Sequence, residues 1–339
     1  MQEILANTKP SDIETLKPYL KYLMYKCVPV DRPAVEITYA EMHENQPTWN
    51  VDSMIRGTKH LCEIAGKQQV MYDVYTQEEC ADDPEKEDVK LFFLPAANTD
   101  KISSVTETGG VFGKEKPFVI LISGGAYTCV CSLVESFPTA ARLNELGYNT
   151  FILNYRVLRD PLFPMPFQDI AAALRFILKN KVRFGITTDD YIVNGFSAGA
   201  NLTAVWGTEV NGWKKHSLPR PKALWLIYPA ISSDYLYEDG KDCFLSMMFG
   251  KDYDMETVRS YDIPDTFTPS YPPCYLVHAK DDPAVPYRNS VELKKLLDSH
   301  DIPAELELIE HGFHGWGDGS GTEAAGWPDR AAGFTESLA

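Results

Sequence analysis

The residues that could do chemistry are a serine, an aspartate and a histidine, each placed after an apolar run. Ser197 lies in a Gly-x-Ser-x-Gly motif at residues 195–199, directly after the apolar run 191–194 and before a helical stretch. The two glycines allow a tight reversal that exposes the serine, the arrangement of a nucleophile elbow. A serine hydroxyl needs a positioned base to become a strong nucleophile. The motif therefore predicts nucleophilic catalysis at Ser197; the alternative is an ordinary turn.

The base that activates Ser197 is expected to be a histidine beyond the end of a later strand. His311 and His314 both follow the last apolar run, and glycines flank the Phe-His pair that contains His314. Because active residues of open α/β sheets lie beyond the carboxyl ends of strands, both positions fit. We select His314 over His311, since the glycines free it to reach the elbow. His278 lies inside an apolar run and is expected to be a packed residue.

An acidic residue should orient the histidine, and two adjacent aspartates follow the apolar run 274–278. Asp281 and Asp282 point in different directions, so only one should reach His314. We select Asp282, which precedes a proline, and expect Asp281 to be a solvated or turn residue. An ionised aspartate at this position holds the imidazole in the productive tautomer.

The oxyanion of a tetrahedral intermediate needs backbone N–H donors, and a glycine-containing loop could supply them. The loop 123–127 follows the buried run 118–122 and precedes the elbow in the chain. Glycines there let the backbone approach a substrate closely. We predict that Gly125, Ala126 and Ala198 are the donors; the alternative for the loop is a simple glycine-rich turn.

The elements that must position these residues alternate between strand and helix. Helices of 10–15 residues between strands predict right-handed crossovers and a mainly parallel sheet with helices on both faces. Two runs, 69–75 and 89–94, predict an antiparallel hairpin at one edge, with the acidic stretch 78–88 as a solvated turn. The predicted strands of the alternating part are 118–122, 150–155, 191–195, 223–228, 274–278 and 305–309, and its helices are 137–146, 169–180 and 291–299.

Two segments do not follow the alternation. Residues 1–66, with predicted helices at 13–24 and 58–65, are interpreted as a helical extension or a lid, and residues 67–339 as the main domain. Residues 232–273 are interpreted as a cap-like insertion of short helices, against the alternative of a surface loop. The residues expected to contact the substrate are Tyr127, Trp206, Met247 and Phe249.

Composition excludes several classes of partner. The net charge of −16 over 339 residues argues against nucleic acid and anionic membrane, both polyanionic. The amino terminus lacks the pattern of a secretory signal, and no apolar run could span a bilayer. Seven scattered cysteines without a CxxC pair predict reduced thiols and a cytoplasmic protein. No metal or cofactor is expected, because neither His-Glu-x-x-His nor a cysteine cluster occurs in the sequence.

These motifs together resemble the α/β-hydrolase fold, and within it the esterases near the hormone-sensitive-lipase and bacterial acetyl-esterase/feruloyl-esterase (BD-FAE-like) groups. The resemblance covers about residues 68–335. It departs from the usual His-Gly-Gly-Gly oxyanion loop, since Ser123 stands where that histidine would be. The matching pieces are residues 123–127, 154–157, 195–199, 282–286 and 312–315.

The resemblance implies a serine carboxylesterase with Ser197 as nucleophile, Asp282 as acid and His314 as base. We expect short acyl esters as substrates, with acetyl esters of carbohydrates as one candidate, because Tyr127 and bulky cap residues would crowd the site. A serine peptidase of the same fold is the first alternative, although its usual longer amino-terminal domain is missing from this sequence. A non-catalytic binding protein on a hydrolase fold is the second.

Overall fold

The computed structural model describes residues 3–29, 31–97 and 116–338, and its strands form one eight-stranded sheet in the order β1-β2-β4-β3-β5-β6-β7-β8. Strand β2 pairs antiparallel with both β1 and β4, and the strands from β3 onward pair with one another in parallel. The predicted mainly parallel sheet with an antiparallel edge is confirmed. The strands are β1 Met71–Asp73, β2 Lys90–Leu94, β3 Phe118–Ile122, β4 Thr150–Asn154, β5 Tyr191–Phe196, β6 Ala223–Ile227, β7 Cys274–Ala279 and β8 Ala304–Ile309.

Helices cover the sheet and fill the connections. Every residue of β3 to β7 is buried, which requires helices on both faces. The helices are α1 Leu20–Leu23, α2 Tyr39–Asn45, α3 Val51–Ala65, α4 Gln77–Asp82, α5 Ser136–Glu145, α6 Met165–Lys179, α7 Ala198–Trp206, α8 Glu238–Phe249, α9 Met255–Arg259, α10 Ile263–Thr266, α11 Arg288–Asp298 and α12 Trp327–Ser337.

The acidic stretch between β1 and β2 is not the predicted solvated turn. It contains helix α4 and a 3₁₀ turn at Pro84–Asp88. The side chain of Thr76 accepts from the backbone N–H of Glu79, and the Glu79 carboxylate accepts from the N–H of Thr76. This reciprocal capping satisfies two backbone donors at the start of α4. The excess of acidic residues concealed the helix in the sequence.

The amino-terminal helices also differ from their predicted extents. Instead of one helix at 13–24, the chain forms one 3₁₀ turn at Glu14–Leu16 and the short helix α1. Pro18 stands in the middle of the predicted helix, where it removes a backbone donor and clashes with the preceding turn. Helix α3 begins at Val51 rather than near residue 58, because the Asn50 side chain caps the N–H of Ser53 at 2.9 Å.

The amino-terminal segment packs into the same core as the sheet. Leu16, Leu23, Met54 and Leu61 are at most 1% exposed and belong to the main hydrophobic cluster. Helix α3 packs directly on α5, and the contact is so close that a Cβ at Gly57 would lie 2.7 Å from the backbone nitrogen of Pro138. The apolar residues of the amino-terminal segment therefore complete the core of the main domain.

The insertion between β6 and β7 contains α8, α9 and α10 and packs through a set of buried apolar residues. Its attachment to the rest of the fold includes two backbone bonds, from the N–H groups of Leu162 and Phe163 to the carbonyl of Met248. Among the described residues, no helix has both the length and the apolar content that crossing a membrane requires. The buried anchors of the insertion are Leu245, Met248, Val258 and Ile263.

Candidate active site

Ser197, His314 and Asp282 form a continuous hydrogen-bonded chain. The Nε2 atom of His314 lies 2.8 Å from Ser197 Oγ, and its Nδ1 atom lies 2.7 Å from Asp282 Oδ2. The fold brings them together because the serine follows β5, the aspartate follows β7 and the histidine follows β8, all at the carboxyl edge of the sheet. With Nδ1 donating to the carboxylate, Nε2 is free to accept the serine proton.

Ser197 occupies a strained backbone position between β5 and α7. Its φ is +51° and its ψ −119°, a conformation that L-residues rarely adopt. The turn is possible because Gly195 and Gly199 have no side chains: a Cβ at Gly199 would lie 2.0 Å from the carbonyl oxygen of Ile122. The local geometry is that of the predicted elbow, with the hydroxyl held out toward His314.

Asp282 is buried and remains ionised. Its Oδ1 accepts from the backbone N–H groups of Ala284 and Val285 at 2.8 Å each. Burial by itself would raise the pKa of this carboxyl, but hydrogen bonds and charge from His278 and His314 outweigh it and lower the pKa to about 2. The carboxylate can therefore stabilise positive charge on His314 at any ordinary pH.

Asp281 holds the histidine loop from beside Asp282. Its Oδ1 accepts from the N–H groups of Gly312 and Phe313 at 2.9 Å each, and its Oδ2 faces His311 Nδ1 at 3.2 Å. The two adjacent aspartates thus have separate partners: Asp282 binds the His314 ring, and Asp281 binds the backbone just before it. Asp281 lies in a turn, as predicted, and its carboxylate also holds the histidine loop.

The predicted donors face the serine from two sides. Gly125, Ala126 and Ala198 line the same cleft as Ser197. Within the described ranges, none of their three N–H groups donates to another protein group. Unpaired donors beside a nucleophile are what an oxyanion requires. The loop is strained, with φ of +132° at Gly125 and +50° at Ala126.

A buried glutamate anchors the loop in place of the missing histidine. Glu135 accepts from the N–H of Gly124 at 2.5 Å through Oε2 and from the Tyr228 hydroxyl at 2.9 Å through Oε1. Burial raises the pKa of Glu135 to about 7 despite these two hydrogen bonds. Ser123 also helps to hold the loop, because its hydroxyl oxygen lies 2.5 Å from the hydroxyl oxygen of Ser136.

Tyr228 connects this anchor to the histidine. Its ring lies 4.7 Å from the His314 ring, and its hydroxyl accepts from the N–H of Gly317 at 3.1 Å while donating to Glu135. Trp316 packs against the ring edge-on at 4.8 Å. The oxyanion loop and the histidine loop therefore share one buried support.

The site opens into a cleft of about 700 Å³. The amino-terminal segment forms one wall of it, through residues 26–29 and 46–49. The opposite wall includes Phe244 from the insertion and Phe313 from the histidine loop. Both Trp49 and Phe313 line the cleft and are accessible to solvent. Trp49 is partly exposed, and Phe313 is 58% exposed.

The predicted substrate residues lie elsewhere. Tyr127 is 1% exposed, and its hydroxyl donates to the Ala198 carbonyl at 3.1 Å, so it supports the elbow helix. Trp206 is fully buried and donates to the Tyr191 hydroxyl at 3.1 Å. Phe249 lines a small separate cavity under the insertion, and Met247 lines neither that cavity nor the cleft. The assignments of Tyr127 and Trp206 to substrate contact are therefore wrong, and neither Phe249 nor Met247 lines the cleft that contains Ser197.

Comparison with known proteins agrees with the fold and with the motifs. Residues 111–220 match the BD-FAE family model. The acetyl ester-xyloside bifunctional hydrolase of Caldicellulosiruptor lactoaceticus superposes with a TM-score of 0.66 at 26% identity, over 79% of this chain and 96% of that one.

Two curated relatives show the same similarity in sequence. Endo-1,4-beta-xylanase B of Butyrivibrio fibrisolvens is 27% identical over 207 residues, 58% of this chain and 32% of that protein. Acetylxylan esterase of Xylanibacter ruminicola is 24% identical over 205 residues, 60% of this chain and 41% of that protein. The chain spans less than half the length of these two relatives.

The chain is an α/β-hydrolase, as its sheet order and its solved neighbours establish. Within that fold, the predicted resemblance to BD-FAE-like esterases is confirmed by the match to the family model and by the esterase relatives.

Proposed function

We propose that this protein is a serine carboxylesterase that works through an acyl-enzyme on Ser197. The observation that carries the proposal is the unbroken chain from Ser197 Oγ through both nitrogens of His314 to Asp282. In this order the three groups can act as nucleophile, general base and orienting acid.

The reaction would proceed in two halves. Ser197 Oγ attacks the ester carbonyl while its proton passes to His314 Nε2, and the oxyanion receives hydrogen bonds from Gly125, Ala126 and Ala198. The protonated histidine then gives its proton to the leaving alcohol. In the second half, His314 removes a proton from the water that attacks the acyl carbon, and it then gives this proton to Ser197 Oγ as the acyl–oxygen bond breaks and the acid leaves.

Short acyl groups fit the small cavity that adjoins the cleft. The cavity under the insertion, which borders the cleft at Ala230 and Phe244, measures about 20 Å³, little more than one water molecule occupies. Aromatic side chains fill the rest of this volume, since the ring centroid of Phe163 lies 5.3 Å from that of Phe249 and 5.1 Å from that of Tyr261. A long acyl chain would have to displace these rings, whereas an acetyl group would not.

Carbohydrate is the favoured alcohol because of the wide, aromatic mouth of the cleft. Trp49 and Phe313 present rings on which the apolar face of a sugar can pack, and the cleft volume exceeds what a small alcohol needs. Relatives named acetylxylan esterase and acetyl ester-xyloside hydrolase support the same substrate class.

The proposal is tested with p-nitrophenyl esters and a matched pair of histidine variants. We expect Ser197→Ala and His314→Ala to reduce kcat by about 10⁴-fold or more, the range for loss of such a group. His311→Ala is the control, because its side chain is 82% exposed and contacts neither Ser197 nor Asp282. It should retain most of the activity. A Ser197→Ala protein with the wild-type rate would refute the proposal.

Substrate class is tested separately with an acyl-chain series and acetylated xylo-oligosaccharides. We expect kcat/KM to fall from acetyl to longer acyl esters, because the cavity under the insertion is almost full. Trp49→Ala should raise KM for acetylated oligosaccharides and leave KM for p-nitrophenyl acetate nearly unchanged. A rate that rises steadily with chain length would contradict the short-acyl assignment.

A further inference from the structure

Three cysteines that are distant in the sequence meet on one wall of the cleft. The Sγ atoms of Cys27, Cys129 and Cys131 all lie within 4.8 Å of one another. No disulfide joins them, and the Cys129 and Cys131 sulfurs are 3.7 Å apart, well beyond a covalent S–S bond. The sequence expectation that no cysteine cluster exists is therefore wrong.

The backbone around the three thiols is held in place. The N–H and carbonyl of Tyr25 pair with the carbonyl and N–H of Val130 at 3.1 and 2.9 Å, which ties the amino-terminal segment to the loop. The N–H of Cys131 donates to the Gly124 carbonyl at 3.0 Å, and the carbonyl of Cys27 accepts from Ala34 at 3.0 Å. The fold therefore brings the thiols together without needing an ion to do so.

The separation of the Cys129 and Cys131 sulfurs matches thiolate coordination, and the Cys27 sulfur lies within 4.8 Å of both. Two ligands at the usual Zn–S distance on a tetrahedral ion are about 3.8 Å apart, close to the separation of Cys129 from Cys131. Thiolates select zinc and other soft or borderline ions over magnesium or calcium. All three cysteines line the cleft, so the fourth coordination position faces it and can be filled by water or an exogenous ligand.

We propose that Cys27, Cys129 and Cys131 bind one zinc-class metal ion on the cleft wall, next to the oxyanion loop. The ion would join the amino-terminal segment to the loop that carries Gly125, since Cys129 lies in the same turn: its N–H donates to the Gly125 carbonyl at 3.1 Å. The site is separate from the serine chemistry and does not depend on the proposed esterase activity.

The test is a Co²⁺ titration of the metal-free, fully reduced protein, followed by displacement with Zn²⁺. We expect one Co²⁺ per chain, with thiolate-to-cobalt charge-transfer absorption and the intense visible bands of tetrahedral cobalt, both abolished by one equivalent of Zn²⁺. Cys27→Ser and Cys129→Ser should each weaken binding by about tenfold or more, since each loses a ligand. Cys243→Ser is the matched control, an exposed cysteine on α8 outside the cluster.

Binding is read independently by native mass spectrometry and by the zinc-dependent rise of the unfolding temperature, which needs no esterase activity. Circular dichroism and urea unfolding check that each serine variant is folded before it is titrated. A wild-type protein whose seven thiols all react after unfolding in urea, and which shows no cobalt-thiolate band when folded, would overturn the proposal. So would unchanged binding in the Cys27→Ser and Cys129→Ser variants.

Discussion

The buried glutamate behind the oxyanion loop makes a prediction about how stability depends on pH. Glu135 is 3% exposed, and its pKa is raised from 4.5 to about 7. Between these two values the folded protein keeps a proton that the unfolded chain has lost. Its free energy of unfolding should therefore fall as pH rises through this window and become constant above about pH 7.

The magnitude follows from the size of the shift. A difference of about 2.5 pKa units corresponds to about 3 kcal/mol, since each unit is worth about 1.4 kcal/mol. Integrating the two titration curves between pH 5 and pH 8 assigns about 2.5 kcal/mol of lost stability to Glu135. Below pH 4.5 both the folded and the unfolded state hold the proton, so the contribution of Glu135 to the free energy of unfolding is present in full.

The test uses the Glu135→Gln variant, which has no titrating carboxyl at this position and keeps a carbonyl acceptor for the N–H of Gly124. Urea unfolding of wild type and variant at pH 5 and pH 8 gives two free energies for each protein. We expect the variant to gain about 2.5 kcal/mol relative to wild type between the two pH values, because other titrating groups cancel in the double difference. Glu238→Gln, at a side chain that is 90% exposed, is the control and should follow wild type.

Equal pH dependence in wild type and Glu135→Gln would refute the reasoning. It would mean that the carboxyl titrates alike in both states, which burial between Gly124 and Tyr228 does not allow. If the variant changes the slope of the unfolding free energy against urea concentration, rather than the midpoint, the compactness of its denatured or native state has changed. The free energies of the two proteins would then be compared from thermal unfolding.

Three further predictions concern the site and its support. Asp282→Asn should lower kcat for p-nitrophenyl acetate by about 10⁴-fold, because the amide no longer fixes the tautomer of His314; a loss below tenfold would argue against that role. Gly124→Ala would place a Cβ 2.7 Å from that of Ser197, so esterase activity should be lost while circular dichroism stays native. Met54→Ala should lower the free energy of unfolding by about 2–5 kcal/mol in urea, because Met54 is fully buried; a change below 1 kcal/mol would show that α3 adds little to the core.

The sheet and the order of the site residues could be predicted because their signals are local. Continuous apolar runs bounded by turn residues indicate buried strands, and parallel strands end at one edge. Ser197, Asp282 and His314 each follow such a run, so their meeting point could be inferred without coordinates. The choice between neighbouring residues rested on flanking glycines for His314 and on the following proline for Asp282. The structure places Asp282 Oδ2 2.7 Å from His314 Nδ1.

What the sequence concealed depends on the direction of side chains and on distant contacts. Tyr127 is adjacent to the oxyanion loop, but its positive φ turns the ring inward beneath α7. Glu135 looks like one acidic residue among many, because nothing local indicates that it reaches the N–H of Gly124. Cys27 and Cys129 are more than a hundred positions apart, and backbone bonds such as the bridge between Tyr25 and Val130 bring them close.

The position of Pro18 and the cap of Asn50 show a third limit. Apolar spacing predicted one long helix at 13–24, yet a single proline divides it into short turns. The same spacing placed the start of α3 seven residues late, because the capping side chain lies outside the periodic run. Both signals were present in the sequence, and backbone hydrogen bonding outweighed periodicity.

One contact determines when the site can form during synthesis. Asp318 binds Arg56 and Ser53, so helix α3 is joined to the loop that follows His314 across more than 260 positions. Contacts this distant form late, since most of the chain must exist before they can close. The nascent chain would therefore keep Ser197 without its base until the segment that carries His314 and Asp318 has left the ribosome.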